Sequence, residues 1–196
     1  MNEQQLVEKA SSGDKRAFEE LFRLYEQKIY NFALRWTGDP DDALDASQEI
    51  FLRVYKYLPG FKKQSAFSTW IYRIAVNVCH DIYISKKNEI LSLDGEEGYR
   101  ESVPDIRYSP ENEFERRVVR EILKEGILSL DEKQKAIIIM RDLEGLSYEK
   151  IAEILDLNSG TVKSRISRAR EKLRIKLVEN GNFSENRESN DQGKEE

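Results

Sequence analysis

The fold is decided by residues 146–176, which read LSYEKIAEILDLNSGTVKSRISRAREKLRIK. Ser147 is a good N-cap for a first helix, whose apolar positions recur at helical spacing. Asp156 tolerates the left-handed conformation that ends a helix, and Asn158 can cap the next one. The first helix's apolar positions are Ile151, Ala152, Ile154 and Leu155.

A second helix follows from Thr161, with one apolar stripe and a basic remainder. The stripe is Val162, Ile166, Ala169 and Leu173. Residues 163–176 contain seven basic residues and one acidic residue, Glu171. This pattern predicts a helix-turn-helix whose second helix enters the major groove of DNA. The alternative is an ordinary helical hairpin with a solvated basic face.

Composition favours an all-α chain. Of its 196 residues 39% are hydrophobic and 35% charged, with only 10 Gly and 4 Pro, and the apolar residues recur mainly at helical spacing. We find no signal peptide or membrane span in the sequence. The single cysteine, Cys79, has no partner for a disulfide, which fits a reducing cytoplasm.

The net charge of −5 is unevenly distributed along the chain. Residues 88–112 carry seven acids and two bases, lack periodicity and are predicted to form a flexible linker. The tail, 179–196, is polar, acidic and predicted to be disordered. Since duplex affinity grows with the number of phosphates neutralised, we expect weak binding to DNA by the chain alone.

Residues 6–36 predict two helices separated at Ser12-Gly13-Asp14, and Asp39-Pro40 predicts the start of a third. We expect the apolar and aromatic positions of these helices to be core. They include Phe18, Leu21, Phe22, Leu24, Tyr25, Trp36, Leu44, Ile50, Phe51, Val54 and Tyr55.

The opposite face of the third helix carries Asp45, Gln48, Glu49 and Leu52. We expect the two carboxylates to be unpaired. A carboxylate pair could hold a metal ion, but no histidine or cysteine supplies further ligands. Two interpretations stay open for this surface: a solvated face or a protein-docking site.

The loop Leu58–Ser68, LPGFKKQSAFS, interleaves lysines with aromatic residues, a weak indication of single-strand binding. A helix is predicted over Thr69–Ile84, with Arg73 and Asn77 on its polar side. We interpret His80 as a surface or capping residue and Cys79 as buried and inert.

The second half begins with a helix predicted over Glu113–Gly126. Ser129 to Glu132 fits a capping box that opens a helix over Lys133–Asp142, which Glu144-Gly145 ends. No internal repeat is present.

Four segments together resemble the bacterial RNA polymerase sigma factors of the sigma-70 superfamily, extracytoplasmic function (ECF) group. They are FEELFRLYEQKIYNFA from Phe18, DALDASQEIFLRVY from Asp42, FSTWIYRIAVNVCHD from Phe67, and LSYEKIAEIL with GTVKSRISRAREKL from Leu146. The resemblance implies sigma domain 2 at 1–87, the linker at 88–112 and sigma domain 4 at 113–178.

The resemblance also implies three sets of binding residues. Core polymerase would bind Asp45, Gln48, Glu49 and Leu52. The minus-ten promoter element would contact Phe61, Lys62, Lys63, Ser65, Phe67, Trp70, Arg73 and Asn77. The minus-thirty-five element would contact Asn158, Ser159, Gly160, Thr161, Lys163, Ser164, Arg165, Ser167 and Arg168.

Three departures from the family pattern are visible, one of which is Ser85, where many relatives have a basic residue. Where housekeeping sigma factors stack a tryptophan pair on the first melted base pair, this chain has Arg73 and Ile74, so we expect strand capture by a base flipped into the loop. Asp156 replaces the glycine common in such turns, which predicts slight strain.

The resemblance implies an alternative sigma factor, without enzymatic activity, cofactor or metal, that directs promoter recognition and initial melting. Expected partners are the β′ and β subunits of core polymerase, promoter DNA and an anti-sigma factor; we expect a cytoplasmic protein, monomeric when free. Two rivals are a stand-alone helix-turn-helix regulator with an N-terminal sensing domain, and a metal enzyme using Asp41, Asp42, Asp45 and Glu49.

Overall fold

The computed structural model describes residues 1–92 and 111–179, and side chains within 1–86 and 120–178. Over these ranges the chain contains helices and turns and no strand, which confirms the all-α prediction. The helices are α1 (Glu3–Ser11), α2 (Lys15–Thr37), α3 (Pro40–Tyr57), α4 (Phe67–Ser92), α5 (Glu111–Leu128), α6 (Glu132–Ile138), α7 (Tyr148–Leu155) and α8 (Ser159–Glu179).

The first half, α1–α4, is a bundle around α2. The predicted starts of α2 and α3 are confirmed: Asp14 and Asp39 each accept two backbone N–H groups, and Pro40 is the first residue of α3. Ala43 and Ala46, both fully buried, let α3 approach α2 closely. These contacts fix the orientation of α3's outer face.

Four predicted core residues are exposed. Leu24, Leu44 and Tyr55 are 50%, 49% and 55% exposed, and Phe22 is at the edge of the core at 36%. A helix buries a stripe, not every apolar position, and α2 uses Leu21, Tyr25 and Ile29 for it.

The second half ends in the predicted helix-turn-helix. Ser147 caps α7, Asp156 closes it in the left-handed region at φ 52° and ψ 53°, and the Asn158 side chain accepts from the N–H of Thr161 at 2.7 Å. Val162, Ile166 and Ala169 are buried as predicted.

The prediction of a capping box that begins at Ser129 is wrong. Asp131 caps α6 by accepting from the N–H of Gln134 at 2.9 Å, while the Ser129 hydroxyl donates back to the Gly126 carbonyl at 2.7 Å. Asp131 directly precedes the helix, so its carboxylate is better placed for this role. Beyond Ile138 the helix continues through one π turn, Ile139–Leu143.

Two helices are longer than predicted. α4 runs from Phe67 to Ser92, past the expected end at Ile84 and into the predicted linker, and α5 begins at Glu111. Residues 93–110, the rest of that linker, and residues 180–196 of the predicted disordered tail lie outside the described residues.

The two halves pack against each other. Buried residues from α1–α4 and from α5–α8 form one hydrophobic cluster, and α7 lies on α4. In the described part of the chain no helix is long and apolar enough to cross a membrane.

Candidate nucleic-acid interface

The outer face of α3 combines polar side chains with an exposed leucine. Asp45 and Gln48 are exposed, and Leu52 is 65% exposed. The prediction that Glu49 is unpaired is wrong. Its Oε1 accepts from Arg53 Nε at 2.6 Å, and Arg53 Nη1 also donates to Asp81 of α4 at 3.1 Å. Arg53 stands four positions after Glu49, a spacing at which helical side chains meet.

Three aromatic rings form a cluster between the loop and the start of α4. The Phe61 and Trp70 centroids are 5.0 Å apart, and Phe67 lies 5.7 Å from Trp70 and 6.1 Å from Phe61. Phe67 is buried and also meets the Tyr25 ring of α2 edge-on at 5.3 Å. The cluster therefore anchors the loop to the bundle, with Phe61 and Trp70 half-buried at its outer side.

The loop lysines are exposed beside this cluster. Lys63 adopts a positive φ of 55°, and its Nζ donates to Glu8 of α1 at 2.8 Å. Ser65 is half-buried. Lys62 and the aromatic rings thus offer charge and stacking surface together, the combination that suits single-stranded nucleic acid.

Arg73 is exposed but engaged within the chain. Its Nη2 donates to the Glu153 carbonyl at 2.6 Å and its Nε to the Ile154 carbonyl at 3.3 Å, both in the last turn of α7. Those carbonyls lack partners within the helix, and a cation there also suits the helix dipole. Asn77, one turn further along α4, is exposed.

The N-terminal half of α8 presents the predicted minus-thirty-five residues. Gly160, Lys163, Ser164, Ser167 and Arg168 are exposed, as is Asn158 in the turn, while Ser159, Thr161 and Arg165 are half-buried. Bases and short polar side chains at the start of a recognition helix are suited to phosphate and base contacts.

Three of the bases further along α8 are held by acids or an amide of the same chain. Arg170 Nε and Nη2 each donate to the Asp142 carboxylate, which raises the pKa of Arg170. Lys172 donates to Gln134 at 3.1 Å, and Arg174 makes two bonds to Glu171. The basic charge available to a ligand is therefore concentrated before Ala169.

Sequence reasoning missed Tyr148 at the start of α7. Its ring lies between two cations, the Arg141 guanidinium at 4.5 Å and Lys163 Nζ at 5.8 Å. The Arg141 Nη1 donates to the Leu146 carbonyl at 2.8 Å, which fixes it there. A groove beside this ring is lined by Tyr148, Lys163, Ile166, Ser167, Arg170, Glu171 and Arg174.

Cys79 is fully buried, and burial raises the pKa of its thiol to about 12, as expected of an inert cysteine. His80, expected at the surface, is half-exposed with Nε2 2.7 Å from Glu132 Oε2 of α6. Among the described residues, no three His, Cys, Asp or Glu side chains are grouped so as to hold a metal ion.

Two family models match the chain, one in each half. Sigma-70 region 2 matches residues 21–89, and Sigma-70, region 4 matches residues 120–173. The chain belongs to the sigma-70 family. The matches cover α2–α4 with the loop, and α6–α8, in the order that the resemblance requires. The region 2 match lies in the N-terminal half, where the alternative of a stand-alone regulator would have placed a ligand-sensing domain.

Curated relatives place this sigma-70 family member in the ECF group. It is 38% identical over 178 residues to the RNA polymerase sigma-H factor of Pseudomonas aeruginosa, covering 87% of this chain and 91% of the relative. It is 38% identical over 183 residues to the ECF RNA polymerase sigma-E factor of Haemophilus influenzae, covering 90% and 96%. Its function is that of an alternative sigma factor in transcription initiation.

Solved structures share the fold. CnrH in complex with the cytosolic domain of CnrY has a TM-score of 0.68 at 23% identity, covering 91% of this chain and 97% of that one. RpoE of Bartonella quintana, solved with the anti-sigma factor NepR, has a TM-score of 0.66 at 24% identity, covering 82% and 96%.

Proposed function

We propose that this sigma factor docks on the β′ subunit of core polymerase through the outer face of α3 and reads the two promoter elements with its two halves. The observation that carries the proposal is the match of regions 2 and 4 to the two halves that hold the candidate surfaces. Initial melting is passive: bases that open spontaneously are trapped, and no step requires enzymatic catalysis or a cofactor.

The docking surface consists of Asp45, Gln48, Glu49 and Leu52. Leu52 is its centre, because a 65% exposed leucine between polar side chains gains most from being covered. The Arg53 bond holds Glu49 in one orientation, so less side-chain freedom is lost on binding.

The minus-ten element is read by Phe61, Lys62, Lys63, Ser65, Phe67, Trp70, Arg73 and Asn77. Phe61 and Trp70 are half-buried and offer ring faces to an unstacked base, with Lys62 beside them for its phosphate. The buried Phe67 acts by holding the other two rings in place. Capture of a flipped base in this loop replaces the tryptophan wedge that Arg73 and Ile74 cannot form.

The minus-thirty-five element is read by the turn and the first half of α8, residues 158–168. Lys163 and Arg168 are exposed on α8 and are suited to phosphate or base contacts, and Tyr148 with Arg141 extends this surface. The β subunit would hold this half of the chain at the correct distance from the first. We further propose a cytoplasmic protein, monomeric when free and restrained by an anti-sigma factor.

The test is transcription from genomic DNA by core polymerase plus the purified chain, with the transcripts sequenced. Promoter-dependent products are expected with the wild-type chain and are expected to fall at least tenfold with Leu52→Ala, since a central apolar contact of an interface is worth about 1–2 kcal/mol or more. Leu24→Ala, a similarly exposed leucine on α2, is the matched control and should leave transcription unchanged. Stable binding to core polymerase without any promoter-dependent product would refute the proposed function.

A further inference from the structure

The first helix, α1, lies against the loop that carries predicted minus-ten residues, 58–68, here called the minus-ten loop. Leu6 and Val7 of α1 are buried, and the helix contacts both α2 and the short turn Leu58–Gly60 at the start of the loop. The match to Sigma-70 region 2 begins at residue 21, beyond α1, and so assigns this helix no role. Its packing nevertheless places α1 where it can act on the loop.

The start of α1 is fixed by its own cap and by a bond to α2. The Asn2 side chain accepts from the N–H of Gln5 at 2.9 Å, and the Gln5 side chain accepts from the N–H of Asn2 at 3.2 Å, which is a capping box. The Tyr25 hydroxyl donates to Glu3 at 2.7 Å, and the same ring meets Phe67 edge-on at 5.3 Å. One end of α1 is therefore joined through a single ring to the aromatic cluster of the minus-ten loop.

The second half of α1 holds the middle of the minus-ten loop. Lys63 Nζ donates to Glu8 Oε1 at 2.8 Å, and Lys63 itself adopts the left-handed conformation, with φ 55°. This conformation is unfavourable for a residue that has a Cβ, so contacts elsewhere must hold the backbone in it. The ion pair between Lys63 and Glu8 is a contact of that kind.

Lys63 lies between the two aromatic residues by which the loop is attached to the bundle. Phe61 packs against Trp70 with ring centres 5.0 Å apart, and Phe67 is buried at the start of α4. Residues 62–66 between them form neither helix nor strand. The backbone conformation at Lys63 therefore sets the path of this segment past the half-buried rings of Phe61 and Trp70.

We propose that α1 positions the minus-ten loop for base capture and that Glu8 is the positioning residue, acting through Lys63. The inference rests on the proposed function for the identity of the ligand, the melted promoter strand, but not for the effect of Glu8 on the loop. A loop already held in its binding conformation loses less freedom when a base enters it, and this strengthens binding. The Lys63 ammonium has three donors, so it can keep its bond to Glu8 while it contacts a phosphate.

The test compares Glu8→Gln with Glu20→Gln in the full-length chain. Both glutamates are exposed, so each variant loses the same charge, but Glu20 lies on α2. The rate of tryptic cleavage after Lys62, which is exposed in the loop, measures how firmly the loop is held.

Base capture is measured with a fluorescent non-template oligonucleotide from the minus-ten region of a promoter found in the transcription assay. A set of copies carries an abasic residue at each minus-ten position in turn. The ratio of intact-strand to abasic-strand affinity, at the position where the abasic copy binds most weakly, measures base capture. General attraction to phosphates cancels in this ratio, because the two strands share the same phosphates.

We expect Glu8→Gln to raise the rate of cleavage after Lys62 and to lower the affinity ratio, each by about threefold, the size of effect that an exposed ion pair supports. Glu20→Gln should match the wild type in both measurements. In a chain that already carries Lys63→Gln, Glu8→Gln should have no further effect, because Glu8 acts through Lys63.

Unchanged cleavage in Glu8→Gln, or an unchanged affinity ratio despite faster cleavage, would overturn the inference. So would an equal effect of Glu8→Gln with and without Lys63→Gln. The cleavage result stands even if no promoter is found, so failure of the proposed function would be recognised separately.

Discussion

Lys135 shows how strongly the surroundings of one residue can change its chemistry. Its ammonium group is buried between the two halves, and this loss of hydration lowers its pKa, although Glu132 acts in the opposite direction. Its Nζ donates to the Trp36 carbonyl over a long distance, 3.4 Å. Burial of this charge therefore opposes folding at neutral pH.

Replacing Lys135 by methionine should increase the free energy of unfolding by about 1 kcal/mol at pH 7, because no charge is then buried. The folded-state pKa of Lys135 is below its unfolded value of 10.5, so the wild type gains stability as pH rises towards 10.5, and the difference between the two proteins should be smaller at pH 10 than at pH 7. Urea unfolding at both pH values measures this. Lys133→Met, at an exposed position, is the control; a less stable Lys135→Met at both pH values would contradict the prediction.

Arg168 and Arg174 lie on the same helix but have different surroundings. Arg168 is exposed in the first half of α8, whereas Arg174 is held by Glu171 in the same chain. For the polymerase holoenzyme on duplex promoter DNA, Arg168→Ala should reduce the slope of log affinity against log salt by about 1. Arg174→Ala should change it by less than half as much; equal slopes for both variants would mean that the ion pair does not withhold Arg174 from DNA.

Among the elements, the turn between α7 and α8 is where local sequence and local structure agree most closely. Ser147, Asp156 and Asn158 lie in the predicted places with the predicted conformations. Cap and turn chemistry could be predicted because each such contact joins residues a few positions apart. The same reasoning failed at Ser129, because Asp131 is a second plausible cap two residues later. Asp131 directly precedes α6 and is the residue that caps it.

Asp156→Gly should stabilise the chain by less than about 1 kcal/mol. It relieves the positive φ of 52°, but it also gives the unfolded chain more freedom, and the two effects partly cancel.

Gly145→Ala should lower the free energy of unfolding by about 1 kcal/mol. The cost is backbone strain at φ 68°, because no atom lies within 4 Å of an added Cβ and no clash contributes. Denaturant midpoints measure both, and destabilisation by Asp156→Gly would show that the aspartate side chain supports the turn.

At the scale of the whole molecule, the contacts between halves could not be predicted from sequence. Arg73 meets α7 across 80 and 81 positions, and Arg35 meets Glu144 across 109. Periodicity identifies the faces of helices but does not say which distant helix covers them. For that reason the helices and exposed site residues were predicted, while the engagement of Arg73 was not.

Because one hydrophobic cluster spans both halves, we expect them to unfold together. Both tryptophans, Trp36 and Trp70, lie in the first half, so tryptophan fluorescence follows mainly that half while far-ultraviolet circular dichroism follows both. The two urea transitions should coincide in the wild type and separate in Glu144→Ala. Separate transitions in the wild type would show that the halves are not coupled.

The exposed leucine on the outer face of α3, Leu52, also affects the solubility of the free chain. An apolar side chain 65% open to water, with Leu44 and Tyr55 open on the same helix, is a surface on which copies of the chain can adhere to one another. The free chain is proposed to be a monomer at low concentration, but at high concentration, without its partner, it should self-associate through this surface. This tendency should fall when that leucine is replaced by aspartate. The exposed leucine that favours binding to core polymerase thus also limits the concentration at which the free chain stays unassociated.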